Sequence, residues 1–110
     1  MAGSDLFTGS LDLLILKAVS WGPRHGYAIG QWLKQTTGEV ISVQEGALYP
    51  ALHRLERRGW LAEEWGISET NREAKFYRLT PEGRKQLKSG LSRWQEFSRV
   101  MTLSLTADQP

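Results

Sequence analysis

The sequence predicts a mainly α-helical domain with one small β-hairpin and a long C-terminal helix. Apolar residues recur at helical spacing in three segments that end by Gly59. Two strand-like runs around a polar loop follow, and Thr80-Pro81-Glu82 then opens a final segment with an apolar stripe. We therefore expect a head formed by residues 1–80 and a C-terminal helix within residues 81–110, joined in one compact unit.

Length and composition set the class of protein. A chain of 110 residues with 40% hydrophobic and 24% charged side chains is typical of one soluble globular domain. No apolar run approaches the roughly 20 residues of a membrane span, and the N-terminus does not resemble a signal peptide. The absence of cysteine excludes disulfides and thiol chemistry and fits the cytoplasm. The formal net charge of +2 is too small to indicate nucleic acid by itself.

The segment from Ser42 to Leu61 organises the rest of the chain. Ser42 and Glu45 have the spacing of a capping box at a helix start, and Gly59 stands where a helix would end. Pro50 lies near the first turns, where it costs a hydrogen bond or a slight bend. The apolar residues at helical spacing are Leu48, Leu52 and Leu55.

The other face of this third helix is polar, aromatic or small. Its members are Gln44, Gly46, Tyr49, Pro50, His53, Arg54 and Arg57. A short helix with an apolar back and such a front fits a DNA major groove. An ordinary surface helix with solvated arginines fits the same pattern when this helix is taken alone, so its neighbours decide between the two.

Two helices precede it. Thr8 or Ser10 can cap the first, Met1 to Phe7 reads as a loose arm, and Gly22-Pro23 ends the segment. The apolar spacing of the first helix comes from Leu11, Leu14, Ile15, Ala18 and Val19.

His25-Gly26-Tyr27 opens the second helix, which Gly38 ends. Its predicted buried side is Tyr27, Ile29, Trp32 and Leu33. Three helices with short turns and a polar front on the third indicate a helix-turn-helix.

A hairpin follows directly. Residues 60–65 and 75–79 are the predicted strands, and Asn71 tolerates the left-handed backbone of a hairpin tip. A hairpin at this position is a wing, and Arg72 would project from its tip towards DNA. A solvated Arg72 paired with Glu69 or Glu73 is the alternative, which the adjacent helix-turn-helix disfavours.

The C-terminal helix has a broad apolar stripe. Leu87, Leu91, Trp94, Ser98, Met101 and Leu105 follow steps of three and four residues, and Phe97, Val100 and Leu103 widen the stripe. An 80-residue head cannot bury so broad a face, so we expect a homodimer through this helix, with help from the first. The residues assigned to dimerisation are Leu87, Leu91, Trp94, Phe97, Met101 and Leu105.

Four motifs in order closely resemble the PadR family of bacterial transcriptional regulators, in its small branch with a single C-terminal helix. They are residues 9–16, residues 22–27, the run Glu45-Gly46-Ala47-Leu48-Tyr49-Pro50 with residues 51–56, and residues 75–83. The resemblance spans roughly residues 6–90. It implies a winged helix-turn-helix, a homodimer, and repression relieved by a small molecule or stress signal. Thr70-Asn71 and Ala47 depart from the glycine and threonine that the family often has there.

The expected sites follow from the residue patterns and from the family resemblance. DNA contacts are assigned to Ser42, Gln44, Gly46, Tyr49, Pro50, His53, Arg54, Arg57, Arg72 and Lys75, with Gln44 and His53 as candidates for base edges on a pseudo-palindromic operator. The resemblance implies a planar aromatic effector between paired tryptophans, and here Trp94 stands at the matching place with Leu11, Leu14 and Ile15 nearby. Trp94 as an ordinary part of the dimer core is the alternative.

No catalytic constellation is apparent. His25 and His53 lie on different predicted helices, and Glu63 and Glu64 point to opposite faces of a strand. We expect no enzyme, cofactor or metal. A winged helix that binds protein rather than a specific DNA site is the rival interpretation.

Overall fold

The computed structural model describes residues 2–43 and 45–110, and the side chains of residues 10–43 and 46–110. The chain forms α1 (Ala2–Ala18), β1 (Arg24–His25), α2 (Gly26–Thr36), α3 (Glu45–Arg57), β2 (Leu61–Ile67), β3 (Glu73–Leu79) and α4 (Pro81–Leu105). The predicted mainly helical fold with a hairpin is confirmed. None of the helices in the described part of the chain combines the length and hydropathy needed to span a bilayer.

The core lies between the first three helices and the base of the sheet. It is built mainly from aliphatic side chains, most of which the helical periodicity had placed on one face of their helix; Leu16, Ala51 and Leu61 were not among those predicted. The core residues are Leu11, Ile15, Leu16, Ala18, Val19, Ile29, Leu33, Leu48, Ala51, Leu52, Leu55 and Leu61, with Tyr77 from β3. Each fully buried large apolar side chain contributes about 1.5–3 kcal/mol, so this cluster is the main source of stability.

The ends of the helices follow local signals. Gly38 (φ 61°) and Gly59 (φ 78°) end α2 and α3 as predicted. After α3, the amide of Trp60 donates to the carbonyl of Leu55 and that of Gly59 to the carbonyl of Glu56, which satisfies the last carbonyls of the helix. Thr80 caps α4 by accepting a hydrogen bond from the amide of Gly83 at 2.9 Å.

The sheet has three antiparallel strands in the order β1-β3-β2. The hairpin pairs Leu61 with Leu79 at its base and Ile67 with Glu73 at its tip. β1 was not predicted, because two residues are too few to show an alternating pattern. It pairs Arg24 with Tyr77 and His25 with Phe76, so it joins the start of α2 to the middle of β3.

Two expectations about the helices were wrong. Residues 2–7 of the predicted loose arm belong to α1, which begins at Ala2, since no proline interrupts the helical run before Pro23, and Met1 lies outside the described residues. Tyr27 was expected on the buried side of α2, yet it is 67% exposed. The reason is geometric: Ile29 and Leu33 form the buried row four residues apart, and Tyr27 lies two residues away on the opposite side of the helix.

Asp12 is the buried charged residue of the described core, at 8% exposure. Its carboxylate accepts hydrogen bonds from Nε (3.3 Å) and Nη2 of Arg54 and from Nη1 of Arg58 (3.4 Å). A carboxylate removed from water needs such partners, and three donors satisfy much of its capacity. The cluster ties α1 to the C-terminal end of α3.

The crossing of α2 and α3 depends on a close contact between Gly26 and Tyr49. A Cβ atom at Gly26 would lie 2.8 Å from Cε1 and 2.9 Å from the hydroxyl oxygen of Tyr49. Real Cβ atoms do not approach ring atoms so closely, so any larger residue must displace the tyrosine. Gly30, one turn later on the same helix, has room, because its Cβ would lie 3.5 Å from Cδ2 of Leu48.

We therefore expect Gly26→Ala to lower the free energy of unfolding by about 1–3 kcal/mol, the usual cost of overpacking. Gly30→Ala is the matched control and should leave stability unchanged or raise it by up to about 1 kcal/mol, since alanine favours a helix interior. Urea denaturation measures both. Equal effects of the two substitutions would show that the Tyr49 contact does not constrain the helix pair.

Candidate nucleic-acid interface

The exposed front of α3 is smaller than the sequence indicated. Burial of its apolar back leaves Gly46, Pro50, His53 and Arg57 facing solvent, with Ala47 beside them. His53 lies 3.6 Å from the Glu56 carboxylate through Nδ1, and 56% of its side chain is exposed. Arg57 has no ion pair or side-chain hydrogen bond within the described residues. In its described part, this front therefore carries one cation without an ion pair, one imidazole and two small residues, Gly46 and Ala47.

Ser42 is exposed on the connector before α3, whereas Gln44 and the side chain of Glu45 lie outside the described residues. The expected Ser42–Glu45 capping box and the expected base contact of Gln44 therefore lie outside them as well.

Tyr49 and Arg54, both expected on this front, turn towards the protein. Tyr49 is partly buried between α2 and α3. The side chain of Arg54 is 28% exposed and its guanidinium is paired with Asp12. The hydrogen bonds that Arg54 donates to Asp12 raise the pKa of Arg54 above its ordinary value, more than burial lowers it. Arg54 thus holds α3 to α1 in this arrangement.

Lys75 is similarly engaged. Its ammonium lies 3.0 Å from the Glu56 carboxylate on α3 and 2.9 Å from that of Glu63 on β2, with 24% of the side chain exposed. Burial by itself would lower the pKa of Lys75, but the hydrogen bonds to Glu63 and Glu56 outweigh it, and the pKa lies well above its ordinary value. This cation therefore fastens the hairpin to α3 instead of projecting from it.

The wing turn, residues 68–72, is held by its own hydrogen bonds. The amide of Ser68 donates to the carbonyl of Arg72 (2.8 Å), and the amide of Asn71 donates to the carbonyl of Ser68 (2.9 Å). Asn71 has a φ of 59°, so its predicted left-handed conformation is confirmed. Arg72 is exposed and has no described ion pair. The predicted hairpin thus presents an unpaired arginine next to its tip.

The wing turn also contacts the start of α2. His25 Nε2 lies 3.3 Å from Oε1 of Glu69, while its Nδ1 accepts a hydrogen bond from the amide of Ala28 at 3.2 Å. The pKa of Glu69 is lowered, first by a hydrogen bond from its own backbone amide and second by the one from His25. The sequence contained no signal for this pair, because its members are 44 residues apart.

A groove of about 420 Å³ runs between α1 and α4. Trp94 and Phe97 line one side, with ring centroids 6.0 Å apart, and Leu13 and Leu16 line the other. Trp60 and Arg58 close one end, where the guanidinium carbon lies 5.1 Å from the indole centroid.

The α1 residues that line this groove differ from those expected beside Trp94. Leu11 and Ile15 are buried in the core at 5% and 0% exposure, and Leu14 packs against that core. They cannot line the groove because they lie on the side of α1 that faces α2 and α3. Leu13 and Leu16 take their place, and Trp60 was missed because it follows α3 rather than belonging to an apolar stripe.

The apolar face of α4 changes character at Gly90. Leu87 packs against the core of its own chain, and Gly90 approaches Leu13 so closely that a Cβ would lie 2.6 Å from its Cδ1. Beyond Gly90 the apolar side chains are 40–76% exposed in the single chain. They are Leu91, Trp94, Phe97, Val100, Met101, Leu103 and Leu105. Leu87 therefore stabilises the head, whereas the later residues form an uncovered face.

Known proteins share this architecture. A transcriptional regulator from Clostridium thermocellum is 33% identical and superposes with a TM-score of 0.80 over 89% of this chain and 95% of its own. A PadR family transcriptional regulator from Eggerthella lenta is 29% identical with a TM-score of 0.81, over 97% of this chain and 91% of its own. A transcriptional regulator from Mycobacterium tuberculosis is 38% identical over 71 residues, 64% of this chain and 65% of its own.

The family comparison agrees with the resemblance found in the sequence. The model of the transcriptional regulator PadR-like family matches residues 15–89, which include the helix-turn-helix, the wing and the first turns of α4. More than half of the chain is thus matched, and the protein belongs to the PadR-like family of transcriptional regulators.

Proposed function

We propose that this regulator binds a pseudo-palindromic operator as a homodimer and represses transcription until a small molecule releases it. The observation that carries the DNA-binding proposal is the exposed front of α3 with Arg57, beside a wing with Arg72, and neither arginine has an ion pair within the described residues. A helix front with small side chains at Gly46 and Ala47 can enter a major groove, while a basic wing reaches the neighbouring backbone or minor groove.

The proposed contacts divide into two groups. Arg57 and Arg72 meet phosphates, which supply affinity without reading sequence, and His53 is the described candidate for a base edge. Gly46 and Pro50 allow close approach of the helix to the groove. Arg54, Lys75 and Tyr49 act behind this surface by holding α3, so their substitution changes DNA binding through the orientation of the helix.

Arg72→Ala should weaken binding to specific and non-specific duplexes alike and reduce the slope of log K against log salt by about one unit, the value for one phosphate contact. Fluorescence anisotropy with the DNA upstream of the protein's own coding sequence measures this. Arg99→Ala is the control, because Arg99 is an exposed α4 arginine paired with Glu96. An unchanged slope for Arg72→Ala would remove this residue from the phosphate contacts.

The same titration tests the rival, a winged helix that binds protein. A regulator prefers its upstream DNA over a scrambled duplex of equal length and composition. A protein-binding module shows equal and weak affinity for both.

The homodimer proposal rests on the uncovered α4 face. Seven large apolar side chains after Gly90 are more than a single small chain normally exposes on one helix. Pairing with a second copy across a two-fold axis would bury each of them against its counterpart or a neighbour.

Phe97→Glu should convert the dimer to a monomer, because an unpaired carboxylate buried in an apolar interface costs several kcal/mol. Ser92→Glu is the matched control, since it adds the same charge to the same helix at an exposed position off the stripe. Sedimentation velocity distinguishes the two species. A stable Phe97→Glu dimer would place the interface elsewhere.

The effector proposal concerns the α1–α4 groove. Trp94 is 49% exposed and contributes a flat indole face to a groove that also contains Trp60. Stacking on an indole contributes about 0.5–1.5 kcal/mol beyond burial of area, so a planar aromatic compound is the expected ligand class. It would release DNA by favouring a dimer geometry in which the recognition helices no longer match the operator.

Planar aromatic compounds should quench tryptophan fluorescence in the wild type and in Trp60→Phe more strongly than in Trp94→Phe. Each single substitution leaves four other tryptophans, so the difference between variants reports the groove. Equal quenching in all three proteins would return Trp94 to an ordinary packing role in the dimer.

A further inference from the structure

We propose that His25 and Glu69 form a latch that fixes the wing turn against the helical head and thereby positions Arg72. His25 is a positioning residue in this proposal, and Arg72 is the residue that touches DNA. The inference rests on the proposed DNA binding and adds a determinant that lies outside the DNA-facing surface.

The latch spans a gap in the sheet. β1 pairs with β3 through two residues and then turns into α2, so β3 has no partner on that side between Phe76 and the wing turn. The outer part of the wing is therefore a two-stranded ribbon, and such ribbons twist and bend easily. Within the described residues, the His25–Glu69 contact is the side-chain hydrogen bond that joins the turn to the head.

The two ends of the latch differ in rigidity. The His25 side chain is 12% exposed and its ring packs edge-on against Phe76, with centroids 5.4 Å apart. Its backbone pairs with β3 and its Nδ1 caps α2. Glu69, by contrast, has 78% of its side chain exposed and belongs to the turn. The well-packed imidazole of His25 thus holds the exposed carboxylate of Glu69, and this contact restrains the turn.

The tautomer of His25 follows from the cap. Because the amide of Ala28 donates to Nδ1, that nitrogen carries no proton, and the neutral ring bears its hydrogen on Nε2. Nε2–H therefore donates to Oε1 of Glu69. The latch needs a hydrogen-bond acceptor at residue 69 but not a negative charge. Variants at this position can therefore distinguish loss of the hydrogen bond from loss of the charge.

The turn transmits the restraint to Arg72. The carbonyl of Ser68 accepts a hydrogen bond from the Asn71 amide and the amide of Ser68 donates to the Arg72 carbonyl, so residues 68–72 form one hydrogen-bonded turn. Fixing Glu69 consequently fixes the backbone from which Arg72 projects. Losing the latch should leave the turn intact but allow it to swing relative to α3.

The test compares Glu69→Gln with Glu69→Ala in the full-length protein. Both remove one negative charge, but glutamine can still accept from Nε2–H and alanine cannot. Removing an acid near DNA should by itself raise affinity. We expect Glu69→Ala to bind the upstream duplex about two- to fivefold more weakly than Glu69→Gln, the range for one exposed pair, with a salt slope lower by up to about one unit.

Arg72→Ala completes a double-mutant cycle. If the latch acts through Arg72, Glu69→Ala and Glu69→Gln should bind equally in the Arg72→Ala background. His25→Asn is the second way to break the latch, because asparagine keeps an acceptor for the α2 cap but is too short to reach Glu69. His25→Asn keeps the charge of Glu69, so it should bind more weakly than the wild type, and Glu69→Ala and Glu69→Gln should bind equally in the His25→Asn background.

NMR relaxation of the backbone amide nitrogens measures the mobility of the turn in the absence of DNA. Order parameters of Thr70 and Asn71 should fall in Glu69→Ala and stay at the wild-type value in Glu69→Gln. Equal affinity and equal order parameters for the two variants would overturn the latch even if Arg72→Ala weakens binding. Lower order parameters in Glu69→Ala with no effect of Arg72→Ala on DNA would keep the latch and remove the wing from the proposed DNA interface.

Discussion

Complete burial of the apolar back of α3 is the constraint that decides which residues of this helix face solvent. Leu48, Ala51, Leu52 and Leu55 are at most 3% exposed, and they contact α1, α2 and the base of the sheet. A helix advances about 100° per residue, so placing these four inward fixes which residues face outward. Rotation by a single position would expose leucines and bury His53 or Arg57 without partners. The apolar core therefore sets the exposed front.

Charge pairing then decides which cations remain free. Asp12 engages Arg54 and Arg58, while Glu56 and Glu63 together engage Lys75. These pairs are partly buried, where an unpaired charge would be costly, so the acids act as structural partners. Among the described residues, Arg57 on α3 and Arg72 beside the wing tip have no ion pair, and the same holds for Lys17, Arg24, Arg84, Lys85 and Lys88 on other elements. A low net charge of +2 is compatible with a localised nucleic-acid surface, because pairing of the acids elsewhere leaves cations available on α3 and the wing.

The C-terminal helix has two functions along its length. Up to Gly90 it docks on α1, where the lack of a side chain lets Leu13 approach the helix backbone. After Gly90 it extends away from the head, in a molecule that is 62 Å long and at most 29 Å wide. The groove lies where the helix leaves the head, and its wall includes Asp12 and Arg58 from the cluster that also holds Arg54. The proposed effector site and the recognition helix thus share one charged cluster.

Local signals in the sequence determined the four helices, most of their ends and the hairpin, whereas the start of α1 was missed. The α3 leucines, Gly38, Gly59, Asn71 and the Thr80 cap each depend on neighbours within a few residues, and short-range physics suffices for them. Only the tertiary structure decided which side chains face outward when two faces of an element were available. Arg54 and Lys75 were expected on DNA and turned inward, because their acidic partners are 42 and 19 residues away.

The same limit explains the remaining differences. β1 exists because β3 lies beside it, the α1 wall of the groove is set by where α4 docks, and the His25–Glu69 contact joins residues 44 positions apart. A periodic pattern states that a residue lies on a face of its own element. It contains no information on which other element covers that face, since that depends on contacts formed only when the whole chain has folded.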